Sequence, residues 1–114
     1  MVIFHIATSG DWRTALSSGV YAADSLQAEG FIHCSTISQV LQVANNLFAG
    51  QSNLVLLQID PQRVSSPIRY EDLYHAGELF PHIYGPLNLD AVVAAYDFLP
   101  DSEGDFQIPE QLVG

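Results

Sequence analysis

Residues 30–36, Gly-Phe-Ile-His-Cys-Ser-Thr, predict a short strand that passes directly into a helix. The apolar half of this stretch suits a strand, and Thr36 and Gln39 then have the spacing of a capping box. In residues 40–48, apolar side chains recur at intervals of three and four, which is typical of an amphipathic helix. Gly50 is placed to end that helix. This strand–helix unit indicates a fold that mixes both kinds of secondary structure.

The sequence on either side of this unit predicts one more helix and several strands. The helix follows the first strand, with Ser9 or Asp11 as its cap and Gly19 near its end, and residues 21–25 indicate a turn. Strands are predicted at residues 2–7, 53–60, 68–71, 80–86 and 89–99. The sum is an α+β fold in which two helices in the N-terminal half precede a mostly antiparallel sheet.

The composition describes a globular domain with an acidic surface. The 114 residues are 48% hydrophobic and 14% charged, which excludes a disordered polyelectrolyte. Asp and Glu number 13 against three arginines and no lysine, giving a net charge of −10. Because nucleic acids and anionic membranes attract proteins through Lys and Arg, we expect neither as a partner. A small molecule or a protein is therefore the expected partner.

The N-terminus and the cysteine content bear on the compartment. Residues 1–7 lack the basic and long apolar regions of a signal peptide, and no apolar run approaches the ~20 residues of a membrane span. Cys34 is the single cysteine, so it forms no internal disulfide, which suits a reducing compartment. We expect a cytoplasmic protein with one domain over residues 1–100. Residues 101–114 are predicted to be an acidic tail that is loose at its end.

Three of the four histidines lie inside predicted strands and are flanked by apolar residues: His5, His33 and His82. Each could be a core histidine bonded to a backbone carbonyl. However, buried imidazoles each need partners, so a shared cleft in which their polar tips meet is the simpler account. The fourth, His75, is expected on a surface loop.

Strand alternation around His33 separates a polar face from a core face. His33 shares its face with Phe31 and Ser35, whereas Cys34 points the other way with Ile32. We therefore interpret Cys34 as a small core residue and not as a nucleophile.

Four residues are candidates for holding a phosphate. Ser35 and Thr36 lie where strand becomes helix, where free backbone N–H groups and the helix dipole bind anions. Simple helix capping is the alternative interpretation of that pair. Arg13, on the first predicted helix, and Arg69, on a later strand, are the candidate cationic partners.

One carboxylate and two aromatic residues complete the candidate site. Glu71 lies two residues after Arg69, so both project from the same face of a strand. The pair is either a surface ion pair or part of a cleft, where Glu71 would stabilise a cationic transition state. Phe80 and Tyr84 are candidates for stacking on a planar ring.

Several of these segments together resemble the bacterial family called domain of unknown function 952. The resemblance spans residues 2–98 and rests on segments 4–6, 30–36, 70–71 and 80–87, with Trp12 and Ala15. The family has no established activity. It is grouped by fold with the ADP-ribosyltransferases, whose split antiparallel β-sheet holds NAD in a central cleft. The resemblance therefore implies that fold, and NAD as the expected cofactor.

The resemblance also implies roles for individual residues. His5 matches a first-strand histidine that binds the adenosine ribose in relatives of that fold. His33, with Ser35, matches the motif beside the nicotinamide ribose. His82 stands where transferases place a Glu that stabilises an oxocarbenium ion. Either Glu71 or Glu78 replaces that Glu, or the chemistry differs, or the domain only binds.

Three hypotheses follow from the residues and the resemblance. The first is a cleft that binds NAD or another nucleotide, in a divergent ADP-ribosyltransferase or another glycosyl-group transferase. In it, His5, His33, Glu71 and His82 carry the chemistry. The second is a catalytically inactive ligand-binding or interaction module of the same fold. The third, which has the least support, is a metal site built from His5, His33 and His82.

Overall fold

The strand predicted at residues 53–60 forms the centre of the largest sheet in the computed structural model, which describes residues 1–112. The strands are β1 (Ile3–Thr8), β2 (Val20–Tyr21), β3 (Ile32–His33), β4 (Leu54–Ile59), β5 (Ile68–Glu71), β6 (Phe80–Ile83), β7 (Leu87–Asn88) and β8 (Val92–Phe98). The helices are α1 (Ser9–Ser18), α2 (Asp24–Glu29) and α3 (Val40–Leu47), with 3₁₀ turns at Pro61–Arg63, Leu89–Ala91 and Glu110–Leu112. All strand pairs described are antiparallel, so the protein is a small α+β domain.

The strands form two three-stranded sheets and a small ribbon. The first sheet has the order β1-β4-β8, the second has the order β3-β6-β5, and β2 pairs with β7. Phe4 joins the first two sheets at one bridge, where its N–H and C=O exchange 2.8 Å hydrogen bonds with Ser35. Next to this bridge the carbonyl of His33 accepts a hydrogen bond from the ring of His5 instead of from the backbone of β1. The sheets therefore separate at His33, the end of β3 that lies next to the bridge.

The sequence of β4 is a continuous apolar run because both faces of the strand are buried. Its residues alternate between two buried clusters, with Leu57 and Ile59 in one and Leu54 and Leu56 in the other. The first cluster also contains residues of β3 and β6, and the second contains residues of α3. Because both faces of the strand are covered, no position has to be polar.

The number of helices differs from the prediction of two. A third helix, α2, occupies residues that the sequence analysis assigned in part to a turn. It has only six residues and none is buried, so it shows no apolar periodicity. The predicted caps of α1 are also wrong, since the side chain of Thr8 accepts the N–H of Asp11. Gly19 ends α1 as predicted, in the left-handed conformation.

The capping-box prediction before α3 is half right. The Oε1 atom of Gln39 accepts the N–H of Thr36 at 3.0 Å, which is the reciprocal bond of that motif. The hydroxyl of Thr36, however, pairs with Ser38. As a result the regular helix begins at Val40 and not directly behind the strand.

Among residues 101–112, three contact the domain: Phe106 belongs to the second core cluster, and Ile108 and Leu112 pack against it. Phe106 is 1% exposed, and its ring stacks on that of Phe98 with centroids 4.9 Å apart. Its backbone N–H donates to Asn45 on α3. The last two residues, where the tail is expected to be loose, lie outside the described part of the chain.

Among residues 1–112, no helix is long and apolar enough to cross a membrane.

Replacing Gly85 with alanine is expected to lower the free energy of unfolding by about 1–3 kcal/mol. Gly85 has a φ of +152°, and an added Cβ would collide with the Oγ of Ser66. That hydroxyl donates to the carbonyl of Pro86 at 2.8 Å, so it moves only by losing this bond. Denaturant unfolding measures the effect.

The control is Gly10→Ala in α1, where an added Cβ meets nothing within 4 Å. There alanine is expected to be neutral or to stabilise by up to about 1 kcal/mol. Equal stability of Gly85→Ala and the wild type would contradict the assigned backbone conformation.

Candidate ligand-binding cleft

A cavity of about 620 Å³ lies where the two sheets separate. It is bounded by β1, β3, β6 and the helices α2 and α3. Five of the predicted site residues line it: His5, His33, Ser35, Phe80 and His82. The other five do not: Arg13, Thr36, Arg69, Glu71 and Tyr84. Its size is that of an ordinary small-molecule site.

His5 is buried in the wall of the cleft with both ring nitrogens engaged. Nδ1 donates to the carbonyl of His33 at 2.5 Å, so Nε2 accepts the hydroxyl of Tyr21 at 2.7 Å. Burial lowers the pKa of His5 from 6.5 to about 4, so the ring is neutral at physiological pH. In this conformation His5 closes the point where the sheets part, and no ring nitrogen is free for a ribose. Its role as a ribose ligand stays a prediction.

His82 is the most enclosed polar residue of the cleft, with 2% of its surface exposed. Its Nδ1 donates to Oε1 of Glu71 at 3.0 Å, and the hydroxyl of Tyr84 donates to the same oxygen at 2.5 Å. The ring of Phe31 stacks on His82 at 4.2 Å between centroids. Within residues 1–112 no hydrogen-bond partner is found for Nε2. Glu71 and Phe31 thus fix the orientation of an imidazole that borders the cavity.

Glu71 lies behind His82 and does not line the cavity itself. The hydroxyl of Tyr84 is the main cause that lowers the pKa of Glu71, and His82 adds to it, so the carboxylate is ionised at neutral pH. Arg69 lies over the ring of Tyr84, 4.9 Å from its centroid. Glu71 is therefore connected to the cavity through its hydrogen bond with His82.

Glu78, the other candidate for the missing carboxylate, lies elsewhere. Its Oε1 accepts from Gln39 and its Oε2 from Gln42, at 2.9 and 2.7 Å. Both bonds attach the segment before β6 to α3 and the turn that precedes it. Of the two carboxylates left open by the sequence, Glu71 is the one that contacts His82.

His33 lies at the rim of the cleft in a hydrogen-bonded group with Glu29 and Tyr74. Its Nε2 donates to Oε2 of Glu29 at 3.0 Å, and the Tyr74 hydroxyl donates to the same oxygen at 2.7 Å. This hydroxyl lowers the pKa of Glu29, and in return the carboxylate raises the pKa of Tyr74. The rings of His33 and Tyr74 are stacked with centroids 6.1 Å apart. The loop that carries Tyr74 is thereby attached to α2.

The amides predicted to hold a phosphate are already bonded. The N–H of Ser35 donates to Phe4 at 2.8 Å, and that of Thr36 donates to Gln39 at 3.0 Å. The expectation of free N–H groups at this junction is therefore wrong, because α3 begins only at Val40. The Ser35 side chain still lines the cavity.

Cys34 is 4% exposed and belongs to the same core cluster as Ile32. Burial raises the pKa of its thiol, so the reactive thiolate is disfavoured at neutral pH. This agrees with the interpretation of Cys34 as a core residue. His75, as predicted, is exposed on a loop.

Sequence reasoning missed Glu29, Tyr74 and the hydrogen bond from Tyr21 to His5. Glu29 comes next to His33 because Gly30, at a φ of +88°, reverses the chain after α2. Tyr74 comes from a loop 41 residues further along the chain than His33, and no pattern in the sequence points to that contact.

The three-histidine metal alternative has no geometric support. Both nitrogens of His5 are engaged, and His82 directs Nδ1 to Glu71. In the part of the chain that the structure describes, no group of three or more His, Cys, Asp or Glu side chains is arranged to hold a metal ion.

The fold and the cleft define a small α+β domain with divided antiparallel sheets and a histidine-lined cavity between them. The chain belongs to the family described as "Protein of unknown function (DUF952)", whose sequence profile matches residues 6–95. This confirms the family to which the sequence motifs pointed. A search of curated proteins finds no match.

Solved structures of one relative resemble the whole chain. The crystal structure of protein CC0527 from Caulobacter crescentus is 30% identical, covers 97% of each chain and has a TM-score of 0.87. The solution NMR structure of CC0527 is 31% identical, covers 98% of this chain and 97% of the other, and has a TM-score of 0.83. The chain is thus similar in fold to CC0527 over nearly its full length.

Proposed function

We propose that the cleft binds the nicotinamide-ribose end of NAD or a related nucleotide, in an ADP-ribosyltransferase-like fold, and that the domain cleaves or transfers at the ribose. The observation that carries the proposal is the His82–Glu71 pair at the wall of the cavity. The separation of the sheets between β1 and β3 also supports it, because it creates a cleft at the junction of the two sheets.

The proposed reaction needs an acceptor for one proton. The bond between C1′ of the ribose and the nicotinamide nitrogen breaks, and its electron pair leaves with nicotinamide. A hydroxyl of water or of an acceptor forms the new bond to C1′ and loses its proton to Nε2 of His82. An imidazole held by a carboxylate is suited to that task, since the carboxylate fixes the tautomer and offsets the positive charge gained. Glu71 is then a positioning residue.

An assay that measures the rate of nicotinamide release from NAD tests this reaction. His82→Gln is expected to lower kcat at least about a hundredfold, which is the lower end of what general bases contribute. Glu71→Gln keeps a hydrogen-bond acceptor but removes the charge, so we expect kcat to fall about tenfold to a hundredfold with KM nearly unchanged. The control is His75→Asn, because asparagine tolerates the positive φ of 54° at this exposed position.

An unchanged rate in folded His82→Gln would contradict the assigned base. A Glu71→Gln variant that changes KM and not kcat would contradict the positioning role. Binding of NAD without release of nicotinamide by the wild type would favour the second hypothesis, the inactive ligand-binding module. That hypothesis is supported by the position of Glu71, which contacts His82 but does not line the cavity, whereas transferases carry their Glu inside the cleft.

A further inference from the structure

The charged residues that line the cleft are acidic. Asp11 and Asp24 lie near the starts of α1 and α2, and Glu29 lies at the end of α2. All three are exposed on the rim, and the bond from Tyr74 keeps Glu29 ionised. An anionic ligand that enters the cleft is therefore repelled by three negative charges.

Among residues 1–112, no arginine lines the cavity, and the sequence has no lysine. Arg63 pairs with Asp60 at 3.5 Å, and Arg69 lies over the ring of Tyr84. Arg13 is exposed on α1 outside the cavity lining. Among the residues that the structure describes, no cationic side chain is therefore in place to pair with a phosphate in the cavity.

The backbone N–H groups predicted to hold a phosphate, and the rings of two cleft histidines, are also engaged. The N–H groups of Ser35 and Thr36 donate within the fold. His5 is neutral, and His33 already donates to Glu29. Within the described part of the chain, the cleft thus offers no free cation at its rim to offset a phosphate.

The interior is suited to the uncharged parts of a nucleoside. The aromatic side chains of Phe4, Tyr21, Tyr74 and Phe80 border the cavity and can pack on a planar base. His82 is 98% removed from solvent and borders the same cavity with Nε2 unpaired among residues 1–112, so it can bond a ribose hydroxyl. The aromatic interior can bind an uncharged nucleoside, whereas the acidic rim disfavours ligands that carry negative charge.

From this geometry we infer that the cleft takes a phosphate-free nucleoside, neutral or positively charged at its base, in preference to the corresponding nucleotide. For the proposed function, this means that an N-ribosyl pyridinium such as nicotinamide riboside binds more tightly than its 5′-phosphate or NAD. The inference rests on the proposed function, because it assigns the substrate class of the same cleft.

Isothermal titration with nicotinamide riboside, nicotinamide mononucleotide and NAD tests the inference. The riboside is expected to bind at least about tenfold more tightly than the mononucleotide at low salt, and raising the salt to about 1 M should reduce that ratio because rim charges are screened. The double variant Asp11→Asn, Asp24→Asn should also reduce the ratio. Asp97→Asn is the matched control, since this exposed residue of β8 does not line the cleft.

The outcomes separate this inference from the proposed function. Tighter binding of the mononucleotide or NAD than of the riboside would overturn the inference and leave the proposed function standing. Binding of none of the three would overturn both. A riboside preference that the double variant and salt leave unchanged would also overturn the inference, because the rim charges would not be its cause.

Discussion

Lowering the pH from 6.5 to 4 is expected to reduce the free energy of unfolding by about 3 kcal/mol through His5 alone. The folded state holds the pKa of His5 at about 4, whereas the unfolded chain has the ordinary value of 6.5. Between these values the unfolded state binds a proton that the folded state does not. The stability is therefore fully present above pH 6.5 and is lost as the pH falls towards 4.

Burial is the main cause of the shift, and the neighbouring charges act with opposite signs. The hydrogen bond to the carbonyl of His33 raises the pKa of His5, the charge of His33 lowers it, and Asp11 raises it. Carboxylates whose pKa is lowered in the folded state also stabilise the protein, but this contribution is lost only as the pH falls below their unfolded pKa of 4.5 or less. The loss between pH 6.5 and 4.5 is therefore the part that reports on His5.

Denaturant unfolding at several pH values measures this dependence, with His5→Gln as the variant that cannot titrate. The variant should lack the wild type's loss between pH 6.5 and 4.5. If it is too unstable to study, NMR titration of the wild-type His5 ring gives the same answer. A His5 ring that takes up its proton near pH 6.5 in the folded protein would show that it is not buried as described.

Truncating Phe106 to alanine is expected to cost about 3–5 kcal/mol, the range for a large aromatic residue removed from a core. Its ring is 1% exposed and packs on Phe98, in the cluster that includes α3. For a domain of this size, such a loss is a large share of the total stability. Residues after 100 would then be required for the fold.

The comparison for Phe106→Ala is Gln107→Ala, which changes the exposed neighbouring residue. It is expected to change stability by less than about 0.5 kcal/mol, since surface substitutions usually do. Thermal and denaturant unfolding measure both variants. A Phe106→Ala protein as stable as the wild type would mean that residues 101–112 are dispensable.

The core-facing patterns were predictable because each follows one local rule. The periodicity of residues 40–48 predicted α3, and the apolar run at residues 53–60 predicted β4. Strand alternation also placed Cys34 and Ile32 in the core, on the face opposite His33. In these segments burial is decided by side chains a few residues apart.

Contacts between distant segments were not predictable in the same way. Tyr74 and Glu29 come together across 45 residues, and Phe106 bonds Asn45 across 61. The short helix α2 has no buried residue, so it has no pattern to recognise. The sequence predicted a phosphate site at Ser35 and Thr36 because it does not show that Phe4 and Gln39 accept their N–H groups.

The histidines that line the candidate cleft could be predicted from the sequence, but their hydrogen-bond partners could not. The sequence placed His5, His33 and His82 together, and all three line the cavity. It did not show that Tyr21 and the carbonyl of His33 occupy both nitrogens of His5. It also left open which carboxylate accompanies His82, which depends on the pairing of β5 with β6.

The most direct test of a nucleotide cleft is an NMR titration of the full chain with NAD and, separately, with nicotinamide riboside. We expect the ring and backbone signals of His33, His82 and Tyr21 to shift together, and Phe31→Leu or His82→Gln to weaken this response. The chemical shifts of the exposed β8 residues Val93, Ala95 and Asp97 should not change. No shifts at millimolar ligand, or shifts confined to residues outside the cavity, would contradict it.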